Sequence, residues 1–89
     1  MAYSVELSES AERELGKLDP QSSRRILKFL LERLAKLDDP RSLGQALKGA
    51  RFGEFWKYRV GDYRLICKIG DDRLLVLVLR VGHRKEIYR

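Results

Sequence analysis

Apolar and polar residues alternate at the start of the chain, with Tyr3, Val5 and Leu7 set against Ala2, Ser4 and Glu6. A period of two predicts a half-buried first strand. The period then changes. Ala11, Leu15 and Leu18 lie at i, i+4 and i+7 on one helical stripe, with Ser8 or Ser10 available as the N-cap. Glu9, Glu12 and Glu14 fall near the positive end of that helix's dipole. Asp19-Pro20 pairs an N-cap acceptor with proline at the first helical position, so a second helix restarts there. It should run to about Leu37, with Ile26, Leu27, Leu30, Leu31, Leu34 and Leu37 forming a broad apolar face, and Asp38-Asp39-Pro40 should end it.

From Arg41 to Gly53 the apolar residues keep no period and glycines intervene, which predicts a loop with room for one helical turn. Three strands follow: Glu54 to Val60, Tyr63 to Ile69 and Leu74 to Val81. The order β-α-α-β-β-β implies an α+β fold in which two N-terminal helices cover one face of a mostly antiparallel four-stranded sheet. Residues 1–89 leave room for a single domain.

The segment EFWKYRVGDYRLICKI fixes its own register, because Gly61-Asp62 makes a two-residue turn of type II′. Pairing Val60 with Tyr63 sets Arg59 opposite Arg64, Lys57 opposite Ile66 and Phe55 opposite Lys68. One face becomes Trp56, Tyr58, Val60, Tyr63, Leu65, Cys67 and Ile69, ready for the helices. The other carries Phe55, Lys57, Arg59, Arg64, Ile66 and Lys68, four cations and no acid. The last strand is apolar on both faces until Arg80. Burying an unpaired guanidinium is costly, so an odd-numbered turn after Ile69 is expected, bringing Arg80 beside Arg64 on the basic face. Gly82, His83 and Arg84 would then reach the rim of that face.

Charge sharpens this picture. Residues 1–47 carry eight Lys/Arg against eight Asp/Glu, whereas residues 48–89 carry eleven against five, so the whole net charge of +6 belongs to the second half. That asymmetry fits a localised site for a polyanion, although a cationic sheet face is also what a merely solvated surface looks like. The acids are scattered and there is no second cysteine and no glycine-rich phosphate loop, so no metal or cofactor site is expected. Cys67 falls on the apolar face as a small core residue. A lone thiol, no signal peptide and no apolar run near the roughly 20 residues of a membrane span lead to an expected cytoplasmic address and no membrane contact.

Cations interleaved with Phe55 and Tyr88 suit single-stranded RNA, with charges on phosphates and rings on bases. RNA supplies its own nucleophile, the 2′-OH beside the scissile phosphate. Cleavage then needs in-line geometry, neutralisation of the developing charge, a base and an acid. Lys57, crowded by the like charges of Arg59 and Arg64, is a candidate base, and His83 is another. Arg59, Lys68, Arg80, Phe55 and Arg89 are candidates for holding the strand.

The order of elements, the stretch WKYRVGDYRLICKI and the ending VLRVGHRKEIYR together resemble the RelE group of the RelE/ParE toxin superfamily, over essentially the whole chain. The resemblance implies a RelE-like microbial RNase fold. It also implies a metal-independent endoribonuclease that cuts mRNA in the ribosomal A site, inhibits translation and is neutralised by a RelB-like antitoxin in a heterotetrameric or larger complex. Carried over by position, Lys57 matches a lysine with an acid/base role and Arg64 a phosphate-binding arginine. Arg84 matches an arginine that stabilises the transition state or serves in leaving-group protonation, and Tyr88 resembles a terminal tyrosine that stacks on or orients the substrate. His83 stands where the best-known relative has lysine, and Phe55 where it has a second lysine. Two other functions remain open: a ParE-like toxin that binds and inhibits DNA gyrase, and a non-catalytic nucleic-acid-binding domain.

Overall fold

The computed structural model describes residues 3–47 and 55–83. Strand β1 (Ser4–Leu7) leads into helix α1 (Glu9–Gly16), and α2 (Pro20–Lys28) continues as a π-helical turn over Phe29–Leu34. A 3-10 turn (Pro40–Leu43) precedes the short β2 (Gln45–Ala46), and β3 (Phe55–Val60), β4 (Tyr63–Gly70) and β5 (Leu75–His83) complete the sheet. Strand order is β1-β5-β4-β3-β2, with β1 parallel to β5 and the other neighbours antiparallel. The α+β class holds, but among the described residues the sheet has five strands and not four. The extra one, β2, is two residues inside the stretch expected to be a loop, too short to show any hydrophobic period.

Local chemistry sets the helix starts. Ser8 accepts from the Ala11 N–H at 3.0 Å, and Asp19 accepts from the Ser22 N–H at 3.0 Å with Pro20 at the first position. The second helix departs from the expected continuous α-helix. Its i→i+5 bonding, as in Ala35 N–H to the Leu30 carbonyl at 2.9 Å, under-winds the final turn. Leu30 and Leu34 stay in the core, whereas Leu31, expected on the apolar face, is 55% exposed.

The core lies between the helices and one face of the sheet. Ala11, Leu15, Ile26 and Leu30 pack against Tyr58, Leu65, Cys67, Val76, Val78 and Val81. Burial pushes the Cys67 thiol up to about 12, which keeps it protonated as a core side chain.

The β3–β4 register is the one expected, Phe55↔Lys68 through Arg59↔Arg64 to Val60↔Tyr63. Gly61 has φ +61°, while Asp62 is not among the positive-φ residues, the type II′ pattern. The β4–β5 connection corrects the expectation of an odd turn. Gly70 pairs with Leu75 across four residues, and the odd residue is inserted instead as a bulge at Leu79, between Cys67↔Val78 and Ile66↔Arg80. Avoiding a buried guanidinium is still the physical result, since the bulge returns Arg80 to the outer face and Val81 to the core.

Candidate functional site

On the face away from the helices, Lys57 and Arg59 of β3 and Arg64 of β4 share a cleft of about 320 Å³, walled by Leu43 and Gln45. Alternation brings Lys57 and Arg59 to one side of β3, and the tight turn sets Arg59 directly opposite Arg64. The cleft wall is held by Tyr58, whose buried hydroxyl donates to the Pro40 carbonyl at 2.9 Å. Desolvation raises the Tyr58 phenol well above its ordinary value, so it stays a neutral donor. Gly44 lets the wall approach. A Cβ there would lie 2.8 Å from the Tyr58 ring and 3.2 Å from the Lys57 carbonyl. Among the described residues, Arg64 donates to the Tyr63 carbonyl at 3.3 Å.

Phe55 and Lys68 face each other at the far end of the same side of the sheet, as expected. Arg80 and His83 do not join the cluster. Arg80 stands opposite Ile66, but its guanidinium reaches past the end of β1 to Glu14 of α1, with Nε 3.2 and 3.1 Å from the two carboxylate oxygens and Nη2 2.9 Å from Oε2. Glu14 also accepts the Val81 N–H at 2.9 Å. Burial alone would raise the Glu14 pKa, but Arg80 and this N–H outweigh it and hold the carboxyl below its ordinary value. Ser8 finishes the substitution of α1 for the missing strand by donating its hydroxyl to the Leu79 carbonyl at 2.9 Å. Glu14 thus protects an unpaired strand edge, a role that its sequence position does not announce: expected near the positive end of the helix dipole, it stands in the last turn of α1 (Glu9–Gly16).

His83 pairs with Tyr63, and their rings meet edge to face at 6.0 Å. It lines a cleft of about 410 Å³ with Glu14, Lys17 and Leu18, on the helix side of the sheet. The expectation that His83 reaches the rim of the basic face is therefore corrected. Arg80 and His83 are three residues apart, so a strand that turns one outward turns the other inward. Arg84, Tyr88 and Arg89 lie outside the described residues. Among the described residues, no group of three or more His, Cys, Asp or Glu gathers as a metal site would require, and no helix is long and apolar enough to cross a membrane.

Other cations were missed in the sequence because their partners are remote in the chain. Arg41 makes a bidentate pair with Asp71 at 2.9 and 2.8 Å and lies over the Trp56 ring, 5.8 Å from its centroid. That arginine ties the 3-10 turn to the β4–β5 turn.

Residues 5–88 match the family described as ParE toxin of type II toxin-antitoxin system, parDE. The chain is 36% identical over 89 residues to toxin RelG of Mycobacterium tuberculosis, covering 100% of this chain and 99% of that one. It is 32% identical over 90 residues to the mRNA interferase toxin RelE of Escherichia coli, covering 99% and 92% respectively. Its fold is similar to a chain in the crystal structure of the toxin-antitoxin complex RelBE2 from Mycobacterium tuberculosis. That match has a TM-score of 0.85 and 31% identity, and covers 94% of this chain and 100% of that one. The chain therefore belongs to the ParE toxin family of type II toxin-antitoxin systems, among its RelE-type members.

Proposed function

We propose that the chain is a ribosome-dependent mRNA endoribonuclease that needs no metal, inhibits translation in the cytoplasm and is held inactive by a RelB-like antitoxin. The observation that carries this is the shared cleft of Lys57, Arg59 and Arg64, which gathers a candidate base and two phosphate-binding guanidiniums on one face. Similarity to a protein named mRNA interferase supports the substrate class, and similarity to a toxin bound in a toxin-antitoxin complex supports the partner. The stoichiometry we propose is a heterotetramer or larger.

In this mechanism, the Lys57 amine accepts the proton of the 2′-OH as that oxygen attacks the adjacent phosphorus. Arg64, with Arg59 beside it, pairs with the non-bridging oxygens as charge builds on the phosphorane. The P–O5′ bond then breaks. Arg84 is proposed to assist in protonating the departing oxygen, and Tyr88 to stack on or orient the RNA substrate. The products are a 2′,3′-cyclic phosphate on the upstream fragment and a 5′-OH on the downstream one. Lys57 is preferred to His83 as base because the described part of β5 sets His83 against Tyr63, across the sheet from Arg64. The ribosome supplies the extended mRNA strand and much of the in-line geometry.

The ParE name of the matching family favours a second reading, a toxin that binds DNA gyrase. Incubation with translating ribosomes and, separately, with gyrase and relaxed plasmid distinguishes them. Cut mRNA with unimpaired supercoiling is the expected result. Intact mRNA with blocked supercoiling would replace the nuclease with the gyrase inhibitor.

A further inference from the structure

A second cationic cleft, of about 460 Å³, lies on the helix side between α2 and the β3–β4 turn. Arg25, Lys28 and Arg33 line it from the helix, and Arg59 lines it from the strand. Glu32 is the one acid there, and no carboxylate among the described residues forms an ion pair with any of these four cations.

Three features build this cleft. The π-helical turn changes the repeat from about 3.6 residues toward i→i+5, which carries Arg33 round toward the side of Lys28, five residues before it. Gly61, already required by its φ of +61°, leaves room for a guanidinium, since a Cβ there would meet Arg25 Nη1 at 3.0 Å. Finally, β2 pairs only with Trp56 and Lys57 among the described residues, so Arg59 projects from a stretch of β3 that β2 leaves uncovered. Exposed at that edge, Arg59 lines the outer-face cleft as well as this one.

We infer that the helix-side cleft is a second phosphate-binding site for the RNA strand held on the outer face, with Arg59 carrying the backbone round the hairpin from one cleft to the other. The inference rests on the nuclease reading above. A flexible single strand follows a cationic track of this kind through its phosphates, without regard to sequence. Its effect is on length: an oligonucleotide that fills only the outer cleft gains nothing from Arg25, Lys28 and Arg33, whereas a longer one does.

The test uses the full chain with fully 2′-O-methylated single-stranded RNA of 6 and 18 nucleotides, so that binding is read without cleavage. Wild type should bind the 18-mer more tightly than the 6-mer. Combined Arg25→Gln, Lys28→Gln and Arg33→Gln should weaken the 18-mer about 10-fold or more and flatten its log K against log salt slope by about 2, near 0.7 per lost phosphate contact. The 6-mer should stay within about twofold. The charge-keeping pair Arg25→Lys and Arg33→Lys should retain most of the slope, which separates a lost contact from a damaged fold. Unchanged 18-mer binding, or equal weakening of both lengths, overturns the second site. Loss of antitoxin affinity with RNA binding intact overturns it in favour of an acidic protein. If wild type binds neither RNA, the second site is overturned, while the nuclease reading stands or falls separately on cleavage of ribosome-bound mRNA.

Discussion

Arg59 and Arg64 stand directly opposite each other across the β3–β4 ladder, two guanidiniums in one cleft with Lys57 one alternation away. Like charges in that position destabilise a sheet by a few tenths of a kcal/mol up to about 1 kcal/mol. Arg59→Thr should therefore raise the urea midpoint slightly while weakening RNA binding. The wild type should also gain more stability from added salt than the variant does. An Arg59→Thr protein that is both less stable and equally good at binding RNA would remove the functional meaning of the pair.

Gly44→Ala tests the wall of the cleft. Its Cβ would sit 2.8 Å from the ring of Tyr58, which is 2% exposed and cannot swing away. Overpacking of this kind costs about 1 to 3 kcal/mol. Urea unfolding should report that loss, together with weaker RNA binding as Leu43 and Gln45 are pushed away from Lys57.

The Glu14–Arg80 clamp makes a pH-dependent contribution. Because the folded-state pKa of Glu14 is depressed, its stabilisation is present above the ordinary carboxylate value and is lost as pH falls through the folded value. Glu14→Gln should cost about 1 kcal/mol at neutral pH, a modest figure because Arg80 is half exposed. The difference between wild type and variant should shrink from about pH 4.5 downward. A pH-independent difference would show that shape and not charge holds β5 to α1.

Much of the site was legible because a two-residue turn leaves the hairpin no freedom of register: once Val60 pairs with Tyr63, the faces of Lys57, Arg59 and Arg64 are fixed. Two helix caps and the core face of β3 and β4 were legible for the same local reason. The rest depended on features with no local signature. β5 is apolar on both faces, so only the fold reveals that its parity is corrected by a bulge at Leu79, and with it the inward turn of His83. The π-helical turn that exposes Leu31 likewise hides in an ordinary helical pattern, and the partner of Arg80 is 66 residues away in the chain.

The two candidate proton carriers should respond differently. Lys57→Ala should reduce cleavage by about 10²- to 10⁴-fold, the range of a lost general base. His83→Ala, on the far side of the sheet beside Tyr63, should change it by less than about 10-fold. Single-turnover cleavage of ribosome-bound mRNA between pH 6 and 9 measures both. Reversal of the two effects would move the base to His83.

Cleavage of mRNA on the ribosome by this cationic cleft is tested most directly by primer extension on a translated mRNA. Wild type should produce stops at ribosome-occupied codons, with an upstream fragment that ends in a 2′,3′-cyclic phosphate. Arg64→Ala should abolish them while the variant remains folded and still binds its antitoxin. Intact mRNA with wild type, or the same stops with Arg64→Ala, would contradict it.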